Sequence, residues 1–295
     1  MSGDADRFRT WAYPLAVAGY CALFIYGHDH VSQFYAKAIE GLDRASVERA
    51  LHWGSLLPGL GAFAAFLWFR RVAWKRLLAE GLVLAGLLWA SNTFLICTNV
   101  ERIHYPQYAI LGLLLRGLIG GDAWALLACN LVGMTDELLQ YALYPQYTKY
   151  LDFNDMILNM VGAQAGISLW NWLRPARAGG GALWRGGRGA VAVACGALAA
   201  LIGWAASTGR IVSLLAVGQV PATVFAESGG RLALVLSYVD TSAFYLVTGL
   251  GRRYHVMGAG VWIGCTLFLL ALSVALERMR FGISATIRSS RTRRP

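Results

Sequence analysis

Long apolar stretches alternate with short polar segments along the whole chain. Several of the apolar stretches approach the ~20 residues that an α-helix needs to cross a hydrocarbon core of ~30 Å. Such a helix pairs all of its backbone N–H and C=O groups internally, as a lipid-exposed segment must. The pattern therefore predicts an all-α fold, a polytopic transmembrane helical bundle with about eight to ten membrane segments.

The first 173 residues predict six spans and one interfacial helix. The segment 28–52 carries charged residues among apolar ones at helical spacing, which is typical of a helix lying at the membrane interface. Pro106 suits the first turn of the fourth span, because no intrahelical acceptor is available for an N–H group there. The predicted spans are 11–26, 53–69, 77–98, a short stretch after Pro106, 122–144 and 155–173.

The second half of the chain contains a Gly- and Arg-rich segment followed by four apolar runs, at 190–207, 211–226, 232–250 and 256–276. Gln219 and Pro221 weaken the second run, but counting it as a span places the Arg-rich tail in the cytoplasm. The predicted organisation is N-terminal helices with an interfacial helix in 1–98, a core in 99–173, a cytoplasmic linker in 174–189, and C-terminal helices with a basic tail in 190–295.

Composition and charge support a membrane location. Hydrophobic residues make up 57% of the chain and charged residues 14%, so a water-soluble fold could not bury the apolar surface. The net charge of +10 comes largely from Lys and Arg clusters within 70–76, 174–188 and 278–294, between or after apolar runs. That placement predicts topology and contact with membrane lipids rather than nucleic acid. We expect a multi-pass protein of the cytoplasmic (inner) membrane with a cytoplasmic N-terminus.

Polar residues from three predicted helix ends gather at one membrane face, the outer one. Ionisable groups at membrane depth are costly, and they usually face a bundle interior or a wet cavity, so the gathering predicts a ligand-binding site. Asp152, Asp155 and Asn159 share one helix face by their spacing. The candidate ligand-binding residues are Glu101, His104, Tyr108, Glu137, Gln140, Lys149, Asp152, Asp155 and Asn159, near Asp136; His104, Glu137 and Asp155 are also candidates for acid–base catalysis.

Two features bear on how this face is held together. Gly162 and Gly166 form a small-xxx-small pair, which predicts close approach of a neighbouring helix beneath the polar residues. A structural alternative for Glu137, Asp152 and Asp155 is interhelical pairing with Gln140, Asn159, Lys149 or Arg102. We give that alternative about the same weight as ligand binding.

Other chemical sites find little support in the sequence. The His28-Asp29-His30 triplet, with His52 near it in sequence, contains ligand types that suit zinc. Successive helix residues point in different directions, however, so we predict no metal site there. The five cysteines lie within or beside apolar segments and form no CxxC pair. No glycine-rich phosphate loop occurs, and we predict no cofactor.

Three motifs, in order, resemble the VanZ-like family of bacterial envelope proteins. The first is Glu101-Arg102-Ile103-His104-Tyr105 followed by Tyr108. The second is Glu137-Leu138-Leu139-Gln140, and the third is Lys149-Tyr150-Leu151-Asp152 leading into Asp155 to Gly162. Departures from the family pattern are Glu101 for Asp, Tyr105 for Phe and Lys149 for Arg. Lysine cannot form the bidentate fork that arginine offers to carboxylate or phosphate.

The resemblance covers about a quarter of the chain. It implies an integral envelope protein, and the family's founding member is associated with low-level teicoplanin resistance. Our first hypothesis is binding of a polar envelope-derived ligand, such as a lipid head group, glycan or glycopeptide antibiotic, with a contribution to glycopeptide resistance. The second is an enzyme acting on a lipid-linked substrate. The third is a small-solute transporter whose route is lined by Asp240 and Arg116.

Overall fold

The computed structural model describes residues 2–43, 46–47, 50, 74–97, 99–143, 151–173, 186–215, 225–238, 246–247 and 253–291. Its helices are α1 (Ser2–Ala38), α2 (Trp74–Phe94), α3 (His104–Ile119), α4 (Asp122–Leu143), α5 (Phe153–Leu173), α6 (Gly187–Ser207) and α7 (Ala259–Arg291). A 3-10 helix, Asn99–Ile103, leads into α3. The strands are β1 (Ile211–Leu215), β2 (Phe225–Ser228), β3 (Arg231–Tyr238), β4 (Leu246–Val247) and β5 (Arg253–Tyr254).

The helices from α2 onward cross the bundle in alternate directions. At one end, which we call the His104 end, Asn154 at the start of α5 bonds to backbone groups of Leu95 and His255. At the opposite end, the Asp122 end, Glu80 of α2 and Asp122 of α4 both bond to Arg280 of α7. The ends of each helix can therefore be assigned to one side of the bundle or the other.

The central helices are the polar ones. α3, α4 and α5 contribute most of the buried core and also contain buried polar residues such as His104, Glu137 and Asn159. Helix α3 has only 16 residues, so it spans about 24 Å at the usual rise per residue. Placing polar side chains inside the bundle keeps them away from lipid, where an unpaired polar group is costly.

The surrounding helices are the apolar ones. Among the described residues, three helical segments are long and apolar enough to cross a membrane: Leu77–Phe94, Gly187–Ser207 and Ala259–Arg280. The most apolar windows of the three are only 6–22% buried, so most of their apolar surface faces outward, as a lipid environment permits. A mostly helical, membrane-type fold is confirmed, whereas the number of eight to ten membrane segments stays a prediction.

The all-α prediction is wrong between residues 211 and 254. The described parts of the predicted spans 211–226 and 232–250 form strands in the order β1-β3-β2, with β1 parallel and β2 antiparallel to β3. β4 and β5 form a second, two-stranded sheet. In β3, Ala233 and Val235 are buried while Leu232 is exposed, the two-residue period of a strand. Gly229 and Gly230 join β2 to β3 with positive φ angles, which favour a hairpin turn.

The sheet lies at the His104 end. Tyr141, near the C-terminus of α4, donates a 2.7 Å hydrogen bond to the carbonyl of Val235 in β3. Just after β5, the backbone N–H of His255 donates to the carbonyl of Phe94 at the end of α2. The strands thus pack against the ends of two helices of the bundle and do not cross it.

The N-terminal region also differs from the sequence-based boundaries. Residues 28–38 of the predicted interfacial helix continue α1 without a break, giving a helix of 37 residues. Helical geometry ends only after Ala38, where a turn contains Gly41 with φ of +79°. No proline separates 26 from 38, and Gly27 does not end the helix. The change from apolar to mixed composition therefore marks a change in the surface of α1 and not in its backbone.

Candidate functional site

Three helix ends meet at the His104 end and supply the candidate site. His104 is the first residue of α3, Glu137 lies near the end of α4, and Asp155 lies in the first turn of α5. His104 Nε2 is 3.5 Å from Asp155 Oδ2. One ligand-type atom from each of these three residues lies within 4.8 Å of the other two. The predicted convergence of distant segments is therefore present for these three side chains.

The convergence takes place inside the protein. His104 and Glu137 are each 2% exposed, and the side chain of Asp155 is 17% exposed. Asn159, one turn after Asp155 on α5, is completely buried. Of these four residues only Asp155 is partly open to the outside, so it marks the accessible side of the group.

Several buried polar atoms of the site have no hydrogen-bond partner among the described residues. They include Oε1 of Glu137, Oδ1 of Asp155, and both amide atoms of Asn159. Interhelical pairing of Glu137 or Asp155 with Asn159 was the structural alternative. Among the described residues, neither carboxylate forms a hydrogen bond with the Asn159 amide. An unmade hydrogen bond at a buried polar group costs about 1–3 kcal/mol. These atoms therefore have capacity for a ligand, an ion or water.

The remaining predicted site residues take varied roles. Glu101 accepts a 2.6 Å bond from the backbone N–H of Cys97. Tyr108 is fully buried, and its hydroxyl donates to Asp136 Oδ2 at 3.4 Å. Gln140 is half-buried on the last turns of α4. Lys149 lies outside the described residues.

Asp152 directly precedes α5, and its Oδ1 accepts a 2.8 Å bond from the N–H of Asn154. This contact is an N-terminal cap of α5. Burial raises the pKa of the Asp152 carboxyl well above its usual range, and the neighbouring carboxyl groups of Asp155 and Glu101 raise it further. The carboxyl groups of this region therefore repel one another at the entrance to α5.

The site has an excess of acidic groups. The carboxyl group of Glu137 interacts electrostatically with four others, those of Asp155, Asp136, Asp152 and Glu101. His104 is a basic side chain in direct contact with this group, through Asp155. Arg102 is close in sequence, but its Nε donates to Asn92 of α2. Such a site favours a ligand that brings positive charge or hydrogen-bond donors.

Close helix packing positions His104 against α5. A Cβ atom added at Gly162 would lie 2.7 Å from the carbonyl oxygen of Tyr105 and 3.0 Å from that of His104. One at Gly166 would overlap the backbone of Ala109. The predicted close approach at Gly162 and Gly166 is therefore confirmed. It allows α3 and α5 to touch backbone to backbone, which fixes the distance between His104 and Asp155.

Asn154 has a structural role that the sequence did not predict. Its Nδ2 donates to the carbonyls of Leu95 and His255, and its Oδ1 accepts from the N–H of Met257. The side chain is buried and joins α5 to the segments that follow α2 and β5. A single buried amide therefore connects three segments beside the site.

We expect Asn154→Ala to destabilise the protein by about 2–4 kcal/mol, because it leaves three backbone groups without their partner. Thermal unfolding of the detergent-purified protein, followed by size-exclusion chromatography, measures the change. Asn92→Ala is a suitable comparison, since Asn92 is half-buried and accepts a hydrogen bond from the side chain of Arg102 instead of holding backbone groups of other segments in the way Asn154 does. Equal unfolding temperatures for the two variants would contradict the role of Asn154.

A second polar cluster occupies the Asp122 end and was not predicted. Arg280 bonds to Glu80 and Asp122, and Asp122 also accepts from Arg116 Nε at 2.6 Å and from Asn171 at 3.1 Å. Arg116, a candidate for lining a transport route, is therefore engaged in this ion-pair network. Asp240, the other candidate, lies outside the described residues.

Comparison with known proteins agrees with the motifs. Residues 28–174, about half of the chain, match the VanZ/LLP1 family model. No curated protein and no solved structure gives a match. The matched region contains α3, α4, α5 and all of the candidate site residues, whereas the sheets, α6 and α7 lie beyond it. The match, together with the ordered motifs and the outward-facing apolar helices, identifies the chain as a membrane protein of the VanZ-like family.

Proposed function

We propose that the site formed by His104, Glu137, Asp155 and Asn159 binds a polar ligand derived from the cell envelope. Buried polar atoms that have no hydrogen-bond partner within the described parts of the chain, Oε1 of Glu137 above all, carry this proposal. A lipid head group, a glycan or a glycopeptide antibiotic presents hydroxyl and amine donors that would satisfy these acceptors. Binding of this kind gives the protein a contribution to glycopeptide resistance, as the family's founding member suggests.

The distribution of basic residues supports an outward-facing site in the cytoplasmic membrane. Arg188, at the start of α6, donates to the carbonyl of Gly120 at the Asp122 end. Arg280 and the Arg-rich tail that follows it begin at the same end. Lys- and Arg-rich ends favour the cytoplasm, so the opposite, His104 end faces outward. An envelope ligand reaches the site from that side.

A second candidate function is acid–base catalysis on a lipid-linked substrate. The 3.5 Å separation of His104 Nε2 and Asp155 Oδ2 favours it, because imidazole and carboxylate are close enough to share a proton or a water molecule. Glu137 or Asp155 would act as the base and His104 as the acid. Binding and catalysis use the same residues and differ in whether the ligand is altered.

We expect cells carrying Glu137→Gln, Asp155→Asn or His104→Ala to show a changed sensitivity profile against envelope-targeting antibiotics, glycopeptides included. Each change removes a charge or an acceptor from the site with little or no added volume. Minimum inhibitory concentrations measure the effect, and membrane immunoblots check that protein levels are equal.

Glu227→Gln is the matched control, because Glu227 is an exposed carboxylate on β2, remote in sequence from the site. We expect it to behave as the unaltered protein. If all three site variants also keep the original profile at equal protein level, the proposed function is wrong. Mass spectrometry of lipid extracts from the same strains separates catalysis, which alters a lipid, from binding alone.

A further inference from the structure

The three side chains His104, Glu137 and Asp155 have the geometry of ligands to a single ion. We infer that they bind one divalent transition-metal ion of the zinc type, an inference that rests on the proposed function because it uses the same site. Ligand atoms around a tetrahedral ion with bonds of about 2.0–2.1 Å lie about 3.4 Å apart. The 3.5 Å between His104 Nε2 and Asp155 Oδ2 matches this separation.

The third ligand completes the set with a small movement. One ligand-type atom from each of the three residues lies within 4.8 Å of those of the other two. Two ligands on opposite sides of a zinc ion are at most about 4.2 Å apart, so the side chain of Glu137 needs to approach by less than ~1.5 Å to reach tetrahedral spacing. Rotation about its side-chain bonds is enough for such a shift.

The chemistry of the donors favours a transition metal. One imidazole nitrogen and two carboxylates suit zinc or manganese better than magnesium or calcium, which prefer oxygen ligands throughout. A carboxylate oxygen of Glu137 belongs to this group, and Oε1 of Glu137 has no hydrogen-bond partner among the described residues, although the residue is only 2% exposed. Burial of a carboxylate without a partner is costly, and a cation removes that cost.

The surrounding charges point the same way. Five carboxyl groups interact at this site, and a divalent cation offsets part of their mutual repulsion. The partly exposed side chain of Asp155 provides a side from which an ion can enter. Three protein ligands leave a fourth position for water or for an oxygen of the envelope ligand, as in zinc sites that bind or activate small molecules.

Metal content of the full-length protein tests the inference directly. The protein is purified in detergent, stripped with a chelator, incubated with Zn²⁺, Mn²⁺ or Mg²⁺, and desalted before elemental analysis. We expect about one Zn²⁺ or Mn²⁺ per chain, little Mg²⁺, and a higher unfolding temperature with the bound ion. Loss of an outer contact to a metal ligand already weakens affinity about 10–100-fold, so Glu137→Gln, Asp155→Asn and His104→Ala should each weaken it about 100-fold or more.

His30→Ala is the matched control, because His30 is an exposed histidine on α1 within the His28-Asp29-His30 triplet. It should retain the metal. No zinc or manganese in the unaltered protein, or equal uptake by site variants that elute as a single species, would overturn the inference. An altered antibiotic profile without metal uptake would leave the proposed function standing, whereas metal uptake with an unchanged profile would leave the metal site and remove the function.

Discussion

Replacing Gly166 by alanine is expected to destabilise the protein by about 3 kcal/mol or more, because an added methyl group has nowhere to go. The new Cβ would overlap the backbone carbonyl of Ala109 on α3, and a backbone atom cannot move aside as a side chain can. On α3, Gly112 meets the carbonyl of Ala163 in the same way. The two helices would have to separate along their whole contact to accept either change.

Thermal unfolding of purified protein, read as loss of the monodisperse chromatographic peak, measures the effect. Gly196→Ala on α6 is the matched control, because it makes the same change in a helix where nothing lies within 4 Å of the new atom. Alanine has the better helix propensity by about 0.5–1 kcal/mol, so this control should be neutral or slightly stabilising. Similar destabilisation by both substitutions would mean that close packing of α3 on α5 is not what holds the bundle.

Separation of α3 from α5 would also change the geometry of the site. Gly162 lies one turn before Gly166 and contacts the carbonyl groups of His104 and Tyr105. A displaced α3 would carry His104 away from Asp155, since both belong to the helices that the glycines bring together. Packing in the middle of the bundle therefore sets the distances between the polar groups at its end.

The features that the sequence predicted are those carried by local patterns. The small-xxx-small spacing of Gly162 and Gly166 identifies a contact surface on one helix without reference to its partner. The spacing of Glu137, His104 and Asp155 relative to apolar runs places each at a helix end, and alternate crossing then brings the ends together. The distances between these three side chains depend on how α3, α4 and α5 pack together. The sequence does not specify that packing.

The strands between 211 and 254 could not be recognised by composition. An apolar run such as 232–250 satisfies the length requirement for a span, and periodicity alone does not separate a buried strand from a helix segment. The stability of β3 depends on pairing with β1, which lies about 20 residues earlier in the chain. Gly229-Gly230, between β2 and β3, was the available signal, because a glycine pair between two short runs that contain apolar residues favours a hairpin.

The ion-pair network at the Asp122 end was missed for a related reason. Glu80 and Arg280 lie near the ends of the apolar segments Leu77–Phe94 and Ala259–Arg280, and Asp122 is the first residue of α4, positions where single charges are ordinary. Their connection becomes visible only when α2, α4 and α7 are placed side by side. Arg280 and Glu80 are 200 residues apart in sequence, beyond the reach of any spacing rule.

Arg280→Ala is expected to cost about 3–5 kcal/mol of stability, because it leaves the buried carboxylate of Glu80 without its cationic partner and leaves that of Asp122 paired with Arg116 alone. Arg280 donates from Nε to Glu80 at 2.8 Å, from Nη2 to Glu80 at 3.3 Å, and from Nη1 to Asp122. The two bonds to Glu80 join α7 to α2, and the bond to Asp122 joins α7 to α4. The same thermal unfolding measurement reports the loss.

Arg278→Ala provides the control, since Arg278 is exposed on the same helix two residues earlier and should contribute less than about 1 kcal/mol. A triple variant, Arg280→Leu with Glu80→Gln and Asp122→Asn, tests the physical cause. If uncompensated buried charge is what destabilises Arg280→Ala, neutralising the two carboxylates should recover much of the lost stability. A triple variant as unstable as Arg280→Ala would instead attribute the loss to the packing of the arginine side chain between α2 and α4.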